Sequence, residues 1–251
     1  MITFKPKQVT KTLLEVLPDR ARDILEKRYG LGKDGETYTL EAIGQSYGIT
    51  RERVRQIENY GIQSIQKSDE YKKQYDLFIE MQKLIDQLGG GVIAEHVLLD
   101  ELSDDPLVRN HIYFLLVVGD PFYKNKENPH FSHRWYTEKK IAETVEEALK
   151  KVYKGLNPDD LISESEILSR FREELIDIAD RHDEEALKRW LSISKHSGAL
   201  ISSRLIPPKI GEIFFIVSIV FSISCFARQI GNASISANSL KSMAFPSITG
   251  I

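Results

Sequence analysis

Leu40-Glu41-Ala42-Ile43-Gly44-Gln45-Ser46-Tyr47-Gly48-Ile49-Thr50-Arg51-Glu52-Arg53-Val54-Arg55-Gln56-Ile57-Glu58 is the stretch whose reading decides the fold. With Leu40 as the first position of a helix-turn-helix, Ile43 and Tyr47 face inward, and Ile49, Val54 and Ile57 complete the inward set. Gly44 falls where the two helices approach closely, and a larger side chain there would push them apart. Gly48 falls at the turn, where glycine accepts a positive φ without strain. Thr50 reads as an N-cap for the second helix, and Glu52 in its first turn suits the positive helix end.

The outward side of that second helix carries Arg51, Glu52, Arg55, Gln56 and Asn59, spaced so that all five share one side. These side chains can read base edges: arginine pairs with guanine, glutamine with adenine, and glutamate accepts from cytosine. Arg53 and Lys67 lie where they could meet phosphates. A solvated charged face is the ordinary alternative for an arbitrary helix, but it does not account for the glycines and the core pattern around this one.

Upstream, Leu17 and Pro18 open a helix through Ala21, Ile24, Leu25, Arg28 and Tyr29, which Gly30 ends. Downstream, residues 69–88 read as one charged amphipathic helix, stopped by Gly89-Gly90-Gly91. A short apolar piece, 92–94, precedes a helix to about Leu102 and another from Pro106 to Val118. The aromatic stretch 122–136 reads as a hairpin, so two helices followed by a hairpin give the order of a winged-helix unit. Further amphipathic helices are predicted over 139–153, 164–179 and 184–193.

At this point the residues carry a family resemblance. Leu17-Pro18-Asp19-Arg20-Ala21-Arg22-Asp23-Ile24-Leu25-Glu26-Lys27-Arg28-Tyr29-Gly30-Leu31, then Tyr38 to Gly44, then Gly48 to Glu58, resemble region 4 of the sigma-70 family of bacterial RNA polymerase initiation factors. The resemblance covers about residues 13–67. It implies that Arg51, Glu52 and Gln56 read the −35 promoter element, with Arg53 and Arg55 on the backbone nearby. It also implies that the first helices, around Arg20 to Tyr29, meet the flap of the polymerase β subunit. Only twelve residues stand where a complete sigma factor has its other regions, so the expectation is a regulator carrying the promoter-reading domain. The sequence departs from the family at Asn59-Tyr60-Gly61, where Gly61 costs a helix about 1 kcal/mol relative to alanine.

Charge is uneven along the 251 residues although the whole chain is at −3. Residues 1–67 hold twelve basic and nine acidic side chains, whereas 68–150 hold ten and sixteen. A basic head on an acidic body fits one nucleic-acid-binding segment and a remainder that contacts something else. Within the hairpin, Lys124, Lys126 and Arg134 are a possible second DNA contact; a protein-contacting winged helix is the open alternative. His130 and His133 have the spacing of a metal pair, but no third and fourth ligand stand near them, so no metal is expected. The lone Cys225 excludes an intrachain disulfide and a cysteine-rich zinc site. The triple glycine lacks the Gly-Lys-Ser/Thr continuation of a phosphate loop. No catalytic constellation assembles, so neither an enzyme nor a cofactor or small-molecule substrate is expected.

From about residue 199 the composition changes. The last 52 residues hold eleven isoleucines, ten serines and one acid, Glu212. Their uncharged run, 213–227, falls short of the roughly 18–20 residues that span a bilayer, so a membrane partner is not expected. A marginal anchor, a buried β segment and an out-of-frame continuation all remain open, the last being favoured. With no secretory leader in the first residues, a cytoplasmic location is expected.

The sequence therefore predicts a mainly α protein. Its parts are a helix-turn-helix head (1–67), a connecting helix (68–90), a winged-helix-like unit with a small β-hairpin (91–156), a helical extension (157–198) and the atypical tail (199–251). The function expected is a DNA-binding transcription regulator with double-stranded DNA and RNA polymerase as partners. A polymerase-binding module that does not read promoter DNA is the alternative, and an enzyme with an attached DNA-binding head comes third.

Overall fold

The computed structural model describes residues 2–154, 156, 162–175 and 178–196. The chain divides into one compact unit, Met1–Ser202, and a second, Ser203–Ile251, which lies outside the described residues together with the three readings of the tail.

The first unit is mainly helical, as the sequence predicts. Its head is built from α1 (Pro6–Leu14), α2 (Asp19–Tyr29), α3 (Leu40–Tyr47) and α4 (Arg51–Lys67). Then come α5 (Asp69–Lys73) and α6 (Tyr75–Gly89), where the sequence reading expected a single helix. The break falls at Gln74, which has left the helical ψ, and no glycine or proline marks it. Tertiary anchoring supplies the reason: the Tyr71 hydroxyl donates to Asp120 at 3.0 Å, and its ring packs on Phe78 with centroids 4.6 Å apart.

The winged-helix order follows as β1 (Val92–Ala94), α7 (Glu95–Leu102), α8 (Pro106–Val118), β2 (Tyr123–Asn125) and β3 (Arg134–Tyr136). The strands form an antiparallel sheet in the order β1-β3-β2, so the apolar piece at 92–94 is a third strand that hairpin reasoning did not supply. Its register pairs Val92 with Tyr136 and Ala94 with Arg134. All three β1 residues are buried because the strand lies between two cores. Ile93 joins a cluster running from Val9 to Trp135, while Val92 and Ala94 join a second one with Phe131, Phe171 and Trp190. Alternation of side chains along a strand produces that division.

The second cluster is completed by α9 (Lys139–Tyr153), α10 (Glu164–Glu174) and α11 (Glu184–Leu191). α10 is shorter than the helix expected over 164–179; its last turn gives way at Leu175, and a short 3-10 turn follows at Ala179–Arg181. The Trp190 indole donates to the Gly89 and Val92 carbonyls, which draws α11 onto the glycine run that ends α6.

One relationship positions the head. α8, the second helix of the pair α7 and α8, buries His111, Ile112, Phe114, Leu115, Leu116 and Val118. It packs against α1, α2 and α4. Asn110 on α8 donates to the carbonyls of Gly30 and Gly35 at 3.0 and 2.9 Å, clasping the loop between α2 and α3. In a helix-turn-helix the second helix is the one that enters the groove. Here the second helix of the pair, α8, is an interior element whose apolar face packs on the head.

Candidate nucleic-acid interface

Local sequence explains how the head forms. The Thr39 hydroxyl accepts from the Ala42 amide and the Thr50 hydroxyl from the Arg53 amide, so both α3 and α4 are capped by side chains that favour that role. Gly48 sits between them at φ +64, its amide reaching back to the carbonyls of Gln45 and Gly44. A Cβ on Gly44 would lie 2.7 Å from the Ile49 carbonyl oxygen, so the crossing tolerates nothing larger than glycine. Ile24, Ile43 and Val54 form the small core beneath, flanked by Leu40, Tyr47, Ile49 and Ile57.

Gly61, which looks unfavourable for a helix, has a packing reason. A Cβ there would lie 2.9 Å from Leu25 Cδ1, so alanine would require the Leu25 side chain to shift. A second tie between these helices is polar: the Tyr29 hydroxyl donates to Glu58 Oε1 at 2.9 Å, and Arg28 Nε lies 3.4 Å from the same carboxylate. Burial pushes the Tyr29 phenol far above its ordinary range, with the Glu58 charge acting in the same direction. The Tyr47 hydroxyl donates to Asp23, which also takes Lys27 at 2.7 Å, fixing α3 on α2. Neither tie is legible in sequence, since each joins residues more than twenty positions apart with no periodic signal.

On this frame the N-terminal half of α4 presents Arg51, Glu52, Arg53, Arg55, Gln56 and Asn59 to solvent, with Val54 and Glu58 turned inward. Five of the predicted contact residues are thus brought together. Four of them are also paired with one another. Arg55 holds Glu52 through two hydrogen bonds, 2.9 Å from Nε and 2.7 Å from Nη2, and Arg53 donates to Gln56 Oε1 at 3.1 Å. The Arg55 bond holds the Glu52 carboxyl below its usual range. Arg51 makes no ion pair among the described residues and stands at the start of the helix.

The remaining predicted residues lie elsewhere. Lys67 is exposed but ends α4, sixteen positions beyond Arg51, which is about 24 Å along the helix axis. In the hairpin, the Arg134 side chain is 4% exposed and donates to Glu146 and to the carbonyls of Ser132 and Lys126. Lys124 is ion-paired with Glu95, donates to the Tyr113 hydroxyl and lies over the rings of Tyr113 and Trp135. Of the three basic residues read as a second DNA contact, Arg134 and Lys124 are therefore turned into the fold and neutralised there; Lys126 is exposed. For Arg134 the physical reason is the sheet, since β3 pairs with both β1 and β2 and is its central strand; Lys124, on the edge strand β2, is held by Glu95 and Tyr113 instead.

Residues 13–67 match the family model for sigma-70, region 4. Over 74 residues the chain is 39% identical to the RNA polymerase sigma factor SigA of Listeria monocytogenes, a stretch that is 30% of this chain and 19% of that protein. The sigma factor SigA of Listeria innocua gives the same identity and coverage. The chain thus spans about a fifth of the length of the curated relatives it matches. No solved structure matches it. The head is thus similar to sigma-70 region 4 and carries a helix-turn-helix. Among the described residues, no helix is long and apolar enough to cross a membrane.

Proposed function

We propose that this protein is a DNA-binding transcription regulator that recognises promoter DNA resembling the −35 element through its sigma-factor-like head. Arg51, Glu52 and Gln56 read base edges, while Arg53 and Arg55 contact the phosphates flanking them. The observation that carries this reading is the exposed set of base-reading side chains at the N-terminus of α4, held over a glycine-dependent helix crossing. The head meets RNA polymerase through the surface around Arg20 to Tyr29, with the β flap as the contact. The segments from residue 68 to 198 connect and extend the head, acting by protein contact in the cytoplasm and without catalysis or a cofactor. The burial of α8, Arg134 and Lys124 favours protein contact over a second DNA contact in the winged-helix unit.

The alternative, a polymerase-binding module that keeps the fold without reading DNA, is favoured by one observation. Glu52, Arg53, Arg55 and Gln56 already satisfy one another, so DNA must exchange those bonds for its own. Selection of bound fragments from random duplex DNA, with and without polymerase, tests the proposal. Enrichment of −35-like fragments is expected, and no enrichment in either condition would contradict it.

A further inference from the structure

A cleft of about 400 Å³ opens between α1, α2, the loop at 31–33 and the start of α8. Two of the side chains that line it are almost wholly buried and lack partners. Thr10 is 1% exposed and His111 6%, and neither the Thr10 hydroxyl nor His111 Nδ1 makes a hydrogen bond. A buried polar group without a partner is costly, and such groups are rare in folded proteins unless a water, an ion or a ligand completes them. Both can donate a hydrogen bond: a hydroxyl always, and a neutral imidazole from the nitrogen that carries its proton.

The charges around these donors indicate what they would meet. Lys7, Lys11, Arg22 and Lys33 line the cleft. Two carboxylates, Glu15 and Glu26, also line it, so the two cations free of acidic partners among the described residues, Lys11 and Lys33, are what an anion would have to recruit. Lys7 is shared with Asp105 at 3.3 Å, and Arg22 pairs with Asp19 at 3.5 Å besides donating to the carbonyls of Leu14 and Leu17. Lys11 and Lys33 are exposed and make no ion pair among the described residues. Donors inside, cations around them and the apolar Leu31 and Leu107 beside them suit an anion with an organic body.

We propose that this cleft binds a small phosphorylated molecule, its phosphate accepting from Thr10 and His111 and balanced by Lys11 and Lys33. Duplex DNA does not fit the same description, because its phosphates lie on a wide cylinder and the unpartnered donors are buried. Since α1, α2 and α8 all contribute, occupancy ties the head to the winged-helix unit and is separate from the reading surface on α4.

The test titrates the full chain, at constant ionic strength and pH, with inorganic phosphate and with adenosine monophosphate, following amide and imidazole chemical shifts. Saturable shifts at Thr10 and His111 are expected with at least one of the two. Tighter binding of the monophosphate identifies an organic phosphate, and tighter binding of inorganic phosphate identifies the free ion. Thr10→Val should weaken binding about tenfold, as expected for losing a hydrogen bond to a charged group, while leaving the fold at least as stable. Paired Lys11→Ala and Lys33→Ala substitutions, both on exposed side chains, should weaken it by a similar factor. Shifts confined to surface lysines would mean an adventitious ion only and would overturn the proposal. So would no saturable shift at Thr10 and His111, unchanged affinity in Thr10→Val, or displacement of the bound phosphate by duplex DNA.

Discussion

Tyr29 on α2 donates its phenolic hydrogen to the buried carboxylate of Glu58 on α4, and this bond joins the two helices about one turn from the close contact of Gly61 with Leu25. Removing the hydroxyl leaves the Glu58 oxygen short of a donor in a buried site. Tyr29→Phe is therefore expected to destabilise the protein by roughly 1–3 kcal/mol, measured as a lower urea midpoint with an unchanged slope. An unchanged midpoint would mean that Arg28 alone satisfies Glu58.

The two glycines of the turn should respond differently to the same substitution. Gly44→Ala drives a Cβ to 2.7 Å from backbone, which has nowhere to go, so the crossing must open. Gly48→Ala meets nothing within 4 Å and carries only the conformational penalty of φ +64, roughly 1–2 kcal/mol. Circular dichroism melts of the two variants should rank Gly44→Ala as the more damaging, and the reverse order would refute the close-approach account.

The pair on the reading surface predicts a titration. Glu52 is held below its ordinary carboxylate range by Arg55, so the favourable pairing is fully present above the unfolded value near 4.3 and is lost as pH falls through the lower, folded value. Carbon-detected NMR of the Glu52 carboxyl should give a depressed midpoint in the native protein and an ordinary one in Arg55→Ala. Equal midpoints would show that the pair does not persist in solution.

Salt dependence should report how many phosphates the head engages. Arg51, Arg53 and Arg55 stand together, Lys67 is far along the helix, and Lys124 and Arg134 are committed internally. At about −0.9 per neutralised phosphate, two or three contacts give a slope of log K against log salt of roughly −2 to −3. A slope nearer −8 would require a further basic surface.

Much of the head was legible because its signals are local. Thr50 caps its helix, Gly48 turns the chain and Gly44 admits the crossing, all within a few residues of one another. What escaped was decided by distant partners. β1 is three residues long and becomes a strand only by pairing with Arg134–Tyr136, some forty positions away. The helix break at Gln74 depends on Asp120, and the inward turn of Arg134 on Glu146. Gly61 read as a cost because its benefit, contact with Leu25, lies on another helix. At the reading face, sequence supplied which side chains share a side, but not that Glu52 and Gln56 are bound to the neighbouring arginines.

The most direct test of the account measures the affinity of the full chain for a duplex carrying a −35-like element, in parallel with Arg51→Ala and Gln56→Ala. Both side chains are exposed, so neither substitution should disturb the fold. A protein that reads bases through this face should lose roughly 1–3 kcal/mol for each bidentate contact removed, and the preference among sequences should relax at the matching positions. Unchanged affinity in both variants, with polymerase binding intact, would contradict promoter reading and leave the polymerase-binding module as the function.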